Sequence, residues 1–64
     1  MSINDPIILR YDEKKDWYYL TRGRETFYTE SRIMRVWPHE EDAIHWSEEE
    51  LGKTPIKEGS VFDV

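Results

Sequence analysis

Pro38 divides this chain into two unlike kinds of sequence. Before it lie short runs of β-branched and aromatic residues, separated by charged or glycine-containing turns. After it comes an acidic stretch with helical spacing. Proline has no N–H to give to a sheet ladder, yet its fixed φ suits the first position of a helix. Strands first and a helix second is what such a break permits. The expectation is a single small α+β domain over residues 1–64. It would consist of an antiparallel meander of three to four strands, one amphipathic helix packed on one face, and an extended C-terminal tail.

The strand runs read as residues 7–11, 17–21, 26–29 and 33–37. Asp12-Glu13-Lys14-Lys15-Asp16 is a charged turn between the first two. Arg22-Gly23-Arg24 is a tight turn, where Gly23 can take positive φ without steric cost. Glu30-Ser31 turns the chain again before Ile33.

In the second half, Pro38 is read as the first helical residue. Glu40, Glu41 and Asp42 then sit in the first turn, where carboxylates meet the positive end of the helix dipole. At 100° per residue Ala43, Ile44, Trp46 and Leu51 share one broad face. Ala43 is small enough to let the helix backbone approach the sheet. Ser47 with Glu50 has the spacing of a capping box, which would restart the helix and make two short ones. Gly52 is a natural stop. Beyond it, Thr54-Pro55-Ile56 reads as extended, and Val61-Phe62 is an apolar anchor.

Such a short chain is hard to stabilise. It has no cysteine, so neither a disulfide nor a thiolate metal site is available, which also fits a reducing compartment. Three Trp, four Tyr and two Phe supply the burial instead, at about 150–250 Å² for each ring. The opening MSINDPIILR has no basic segment followed by a long apolar run, so it does not read as a signal peptide. No stretch approaches the ~20 apolar residues of a membrane span. A complete, soluble cytoplasmic gene product is expected.

The stretch Val36-Trp37-Pro38-His39, followed by Ala43 and Trp46, resembles a family of short bacterial α+β proteins known only as a domain of unknown function. The matching part runs from about Trp17 to Leu51. Members usually run longer past the helix than Val64. The resemblance implies an α+β fold and carries over no catalytic residue.

Little in the chain suggests chemistry. His39, Asp42 and His45 have i, i+3, i+6 spacing, which spreads them over about a third of the helix circumference and lacks the i, i+4 pair of metal-binding helices. Glu41 and His45 do have i, i+4 spacing and read as a surface ion pair. Catalytic carboxylate pairs need a desolvated pocket, which so short a chain has little volume to enclose. Ser31, Ser47 and Ser60 lie in no nucleophile motif, and Arg22-Gly23-Arg24 is not a phosphate loop. A non-enzyme without metal or cofactor is expected.

Charge points elsewhere. Net charge is −5. Residues 1–37 hold seven basic and six acidic side chains, whereas residues 38–64 hold two basic and eight acidic. That balance argues against nucleic acid as a general partner. One helix also covers only one face of a sheet. If Leu9, Tyr11, Met34 and Val36 face it, alternation puts Ile8, Arg10, Ile33, Arg35 and Trp37 on the other face. Trp17 and Tyr19, or else Tyr18 and Leu20, would join them. Either the tail covers that face or a second copy does.

The expected function is therefore a small acidic protein-binding module of inhibitor, adaptor or immunity type, of the kind a phage or mobile element encodes. Its partner would be a protein with a basic surface, and it would form a homodimer. Glu40, Glu41, Asp42, Glu48, Glu49 and Glu50 would supply charge, with Arg35 and Trp37 on the sheet. The alternatives are single-stranded nucleic-acid binding on the open sheet face, through Tyr18, Tyr28, Arg10, Arg24 and Arg35, and a small homodimer with no catalytic role.

Overall fold

A computed structural model describes residues 5–58. Strands β1 (Ile7–Asp12) and β2 (Trp17–Arg22) form an antiparallel hairpin of six residue pairs. The loop between them is tied by Asp12, whose Oδ1 accepts the N–H groups of Lys14 and Lys15 at 3.0 and 3.3 Å. β2 returns through Gly23-Arg24 into β3 (Glu25–Thr26), with Arg22 opposite Glu25. Gly23 has φ +63°, so the first loop residue needs the left-handed freedom that glycine has. The three strands are the meander expected from the alternation.

The rest of the sheet differs from that expectation. Residues 33–35 do run antiparallel beside residues 27–29, as a meander would, but through isolated bridges rather than as a fourth strand of the sheet. They fold back on residues 27–29 to make a narrow hairpin, hereafter the arm. Arg35 N–H donates to the Phe27 carbonyl at 2.8 Å, Tyr28 bridges Met34, and Thr29 N–H donates to the Ile33 carbonyl at 2.8 Å. The chain rejoins the sheet only at Trp37, which exchanges both backbone hydrogen bonds with Tyr18 at 2.7 and 2.9 Å. The fourth strand comes instead from the tail. β4 (Ile56–Lys57) pairs parallel with β1, giving the order β3-β2-β1-β4.

The helix begins at Glu40, two residues later than read. Pro38 lies ahead of it, and His39 is the N-cap in extended conformation, without a side-chain capping bond. α1 (Glu40–Trp46) continues unbroken into a wider π turn (Ser47–Leu51). Ser47 does not restart the helix. Its backbone is helical, its side chain is fully buried, and its Oγ donates to the Lys53 carbonyl at 2.6 Å. A buried hydroxyl needs a partner, and the chain beyond the helix supplies one. Gly52, in the left-handed region at φ +68°, donates its N–H to the Ser47 carbonyl and ends the helix as expected.

Ile7, Leu9 and Leu20 project from one face of the sheet and bury Ala43 against them. Leu9 and Leu20 lie directly opposite each other. Tyr18, Phe27, Trp37, Ile44, Trp46 and Leu51 close the core around them, so the apolar helix stripe is the expected one. Lys57 Nζ bonds Glu40 at 3.0 Å at one sheet edge, while Trp46 meets Phe27 and Trp37 at the other. The helix therefore crosses the sheet from β4 to the outer edge of β2. Val61 and Phe62 lie outside the described residues.

Candidate functional site

Three surfaces of the described residues remain once the core is assigned: the outside of the helix, the sheet face away from it, and the arm.

The six helix carboxylates are not equivalent. Glu40 is half-buried and paired with Lys57. Glu48 accepts the Thr54 hydroxyl at 2.9 Å. Glu49 lies 3.4 Å from His45 Nε2, so the histidine pairs one turn onward rather than back to Glu41. Glu41, Asp42 and Glu50 are exposed, with no ion pair or side-chain hydrogen bond among the described residues. Because the helix is continuous, Glu48, Glu49 and Glu50 lie near its C-terminal end. There the dipole disfavours carboxylates, by typically 0.3–1 kcal/mol at an exposed site.

The sheet face away from the helix carries Ile8, Arg10, Trp17, Tyr19 and Thr21, with Ile56 beside Ile8; Thr21 is buried and Ile8, Trp17 and Tyr19 are half-buried. Of the two parities open for β2, the structure takes the one that puts Trp17 and Tyr19 there. Arg35 and Trp37 are not on this face. Trp37 sits opposite Tyr18 on the helix side, 5.5 Å from the Trp46 ring, and the Arg35 guanidinium stacks over Trp46 at 5.0 Å. The arm shifts the strand parity by one residue, and a one-residue shift exchanges the faces.

Arg10 lies across the sheet face away from the helix. Its Nε donates to Thr21 Oγ1 at 3.0 Å and its Nη1 to Glu58 Oε2 at 2.7 Å. The cation is thus committed within the chain. Stacking of single-stranded nucleic acid calls for exposed rings beside free cations. Here Trp17 and Tyr19 are half-buried and Arg10 is neutralised. Tyr18, assigned to that platform in the alternative reading, faces the helix side.

The arm was not legible as a separate feature. Tyr28 is 57% exposed and Ile33 65%. Its turn is held by Thr29, whose Oγ1 accepts the N–H groups of Ser31 and Ile33 at 3.2 Å each. Arg32 closes the turn with φ +65°, where glycine is the ordinary choice. Arg32 is exposed and makes no ion pair among the described residues. The hint in the sequence was threonine before a turn with no glycine in it.

At the far end of the first hairpin, the Tyr11 hydroxyl donates to Asp16 Oδ1 at 2.5 Å. Holding that proton against a carboxylate pushes the Tyr11 pKa up from 10.0 to about 12.

Among the described residues no three His, Asp or Glu side chains converge as metal ligands would. No helix there is long and apolar enough to cross a membrane. Comparison with protein-family models, curated proteins and solved structures finds no match.

Proposed function

We propose that this protein is a small acidic binding module, of inhibitor, adaptor or immunity type, which presents the outer face of its helix to a basic surface on another protein. One observation supports this most. Glu41, Asp42 and Glu50 stand exposed, with no ion pair among the described residues, on a helix that contains no lysine or arginine. The helix dipole accounts for Glu41 and Asp42 in the first turn. It does not account for Glu50 at the opposite end, and no second helix starts at Ser47 to give it an N-terminal role. Like charges at helical spacing cost a few tenths of a kcal/mol per pair. The fold gains nothing from that cost, whereas electrostatic steering toward a basic partner would. The resemblance through Val36-Trp37-Pro38-His39 assigns no residue a role and adds nothing to this reading.

The test is the triple variant Glu41→Gln, Asp42→Asn, Glu50→Gln. These side chains make no ion pair or side-chain hydrogen bond among the described residues, so the variant should stay folded. Against a partner identified by pull-down, it should associate more slowly and with a shallower dependence on salt. An unchanged rate and salt dependence would reduce the acidic helix to a solvated face.

A further inference from the structure

We propose that Arg22 and Arg35 form the two ends of a site for an acidic segment of another protein, with carboxylates on the two guanidinium groups and an apolar side chain against Ile33. The site is separate from the helix carboxylates and does not rest on them. The strand register builds it. Arg22 lies two residues from Leu20 on β2, so both point to the helix side. Arg35 N–H donates to the Phe27 carbonyl across the arm, and Ile33, two residues before Arg35, lies on the same side as Arg35. The Phe27 ring meets the Trp46 ring edge-on at 5.6 Å. The Arg22 guanidinium lies over Phe27 at 5.5 Å and that of Arg35 over Trp46 at 5.0 Å. Each ring of the pair thus carries one cation. A ring beneath a guanidinium covers its face and orders it, which leaves the N–H edge for a planar oxyanion. Among the described residues nothing takes those edges. Neither arginine makes an ion pair or a side-chain hydrogen bond there, and Arg22 Nε is buried without an acceptor. Glu25 lies opposite Arg22 in the ladder, yet forms no ion pair with it. Arg10 shows the contrast, since Thr21 and Glu58 both accept from it. Ordered guanidinium groups with unfilled donors match carboxylates, which fit the fork through paired hydrogen bonds. Arginine and tryptophan beside an exposed aliphatic side chain, Ile33 at 65%, are also the composition of interface centres. A short protein segment fits better than nucleic acid, because an extended polyanion would also meet the field of a chain with net charge −5.

The probe is a short synthetic peptide of alternating glutamate and leucine, titrated into the full chain while arginine Nε–H and tryptophan indole resonances are followed by NMR. A glutamine–leucine peptide, inorganic phosphate and oligothymidylate serve as comparisons. The glutamate peptide should shift the Arg22 and Arg35 Nε–H signals and the Trp46 indole, and should bind more weakly as salt rises. The glutamine peptide should bind at least about tenfold more weakly. Arg22→Lys and Arg35→Lys keep the charge but lose the fork, and each should weaken the glutamate peptide about tenfold, with circular dichroism confirming the fold. Arginine signals that do not move, lysine variants that bind like the parent, or a glutamine peptide that binds equally well would each overturn the proposal. So would phosphate that binds as tightly as the peptide, which would make this a general anion site, or oligothymidylate that binds more tightly, which would make it a nucleic-acid surface. Failure of the functional reading looks different. The variant neutralised at Glu41, Asp42 and Glu50 should keep the peptide site, and a parent chain that binds the peptide yet captures no basic partner would refute only the role of the helix.

Discussion

The molecule contains two hairpins closed by the same backbone device, and they differ in almost everything else. The first joins β1 to β2, and the second is the arm. Each turn ends in a non-glycine residue in the left-handed region, Asp16 at φ +57° and Arg32 at φ +65°. In the first hairpin that conformation is supported. Asp16 donates its N–H to the Asp12 carbonyl at 2.8 Å and accepts the Tyr11 hydroxyl. Six residue pairs lie behind it, with Ile7, Leu9 and Leu20 buried in the core. In the arm, the Arg32 side chain finds no ion pair among the described residues, and the large apolar residues near it face outward. One hairpin is scaffold that uses strain to complete a local network. The other is closed at Arg32 through the backbone alone, with Arg32 N–H donating to the Thr29 carbonyl at 2.9 Å.

The sharpest way to test this division is to truncate on both sides of it. Leu20→Ala removes a side chain that is 1% exposed and lies directly opposite Leu9. It should cost about 2–5 kcal/mol in urea unfolding. Trp46→Ala should fall at the low end of the ~3–5 kcal/mol range for a lost tryptophan. Its ring is half-buried, but it joins Phe27, Trp37 and Arg35 to the helix. Ile33→Ala in the arm should lie within about 0.5 kcal/mol of the parent. A core-sized loss at Ile33, or a near-neutral Leu20→Ala, would abolish the distinction.

The first hairpin was legible in the sequence and the arm was not, for a physical reason. Residues 7–11 and 17–21 alternate, and their turn is punctuated by Asp12, so local rules suffice. The helix stripe of Ala43, Ile44, Trp46 and Leu51 is equally local, as are the stops at Gly23 and Gly52. Residues 33–37 alternate just as well. Yet their face depends on a parity set by how the arm folds on itself, and a one-residue shift moved Arg35 and Trp37 to the helix side. The parallel pairing of Ile56 and Lys57 with β1 is set by where the helix delivers the chain, far from any local pattern. Of the candidate site, the acidic helix was visible because it is a run. That Glu41, Asp42 and Glu50 are its members without an ion pair among the described residues depends on where Lys57, Thr54 and His45 fall.

A smaller effect sharpens the comparison. Glycine at a left-handed position relieves about 1 kcal/mol of steric strain and gives part of it back through a more flexible unfolded chain. Arg32→Gly should therefore stabilise by a few tenths of a kcal/mol. Asp16→Gly relieves the same strain but deletes the acceptor of Tyr11, so its gain should be smaller or reversed. In a Tyr11→Phe background that acceptor has nothing left to accept. There Asp16→Gly should gain about as much as Arg32→Gly does. Equal effects at the two positions in the parent would mean that the Asp16 network supports nothing.

The smallest effect concerns the proton in that network. Tyr11 gives it to a carboxylate 2.5 Å away, and its pKa rises from 10.0 to about 12. Between those values the folded chain holds a proton that the unfolded chain has lost. The stabilisation is complete below pH 10 and disappears as pH rises through about 12. Other groups titrate in this range, so the informative quantity is the difference between the parent and Tyr11→Phe. The stability advantage of the parent should be constant up to pH 10 and shrink above it. Tyrosinate absorbance in the parent should contain a component with its midpoint near 12, and that component should vanish in Tyr11→Phe. Asp16→Asn should bring the midpoint down, because a neutral amide accepts the hydroxyl without opposing the charge of its ionised form. If the late component survived Tyr11→Phe, the proton would belong to another tyrosine. The first hairpin would then lose the local reason that sets its strained turn apart from the arm's.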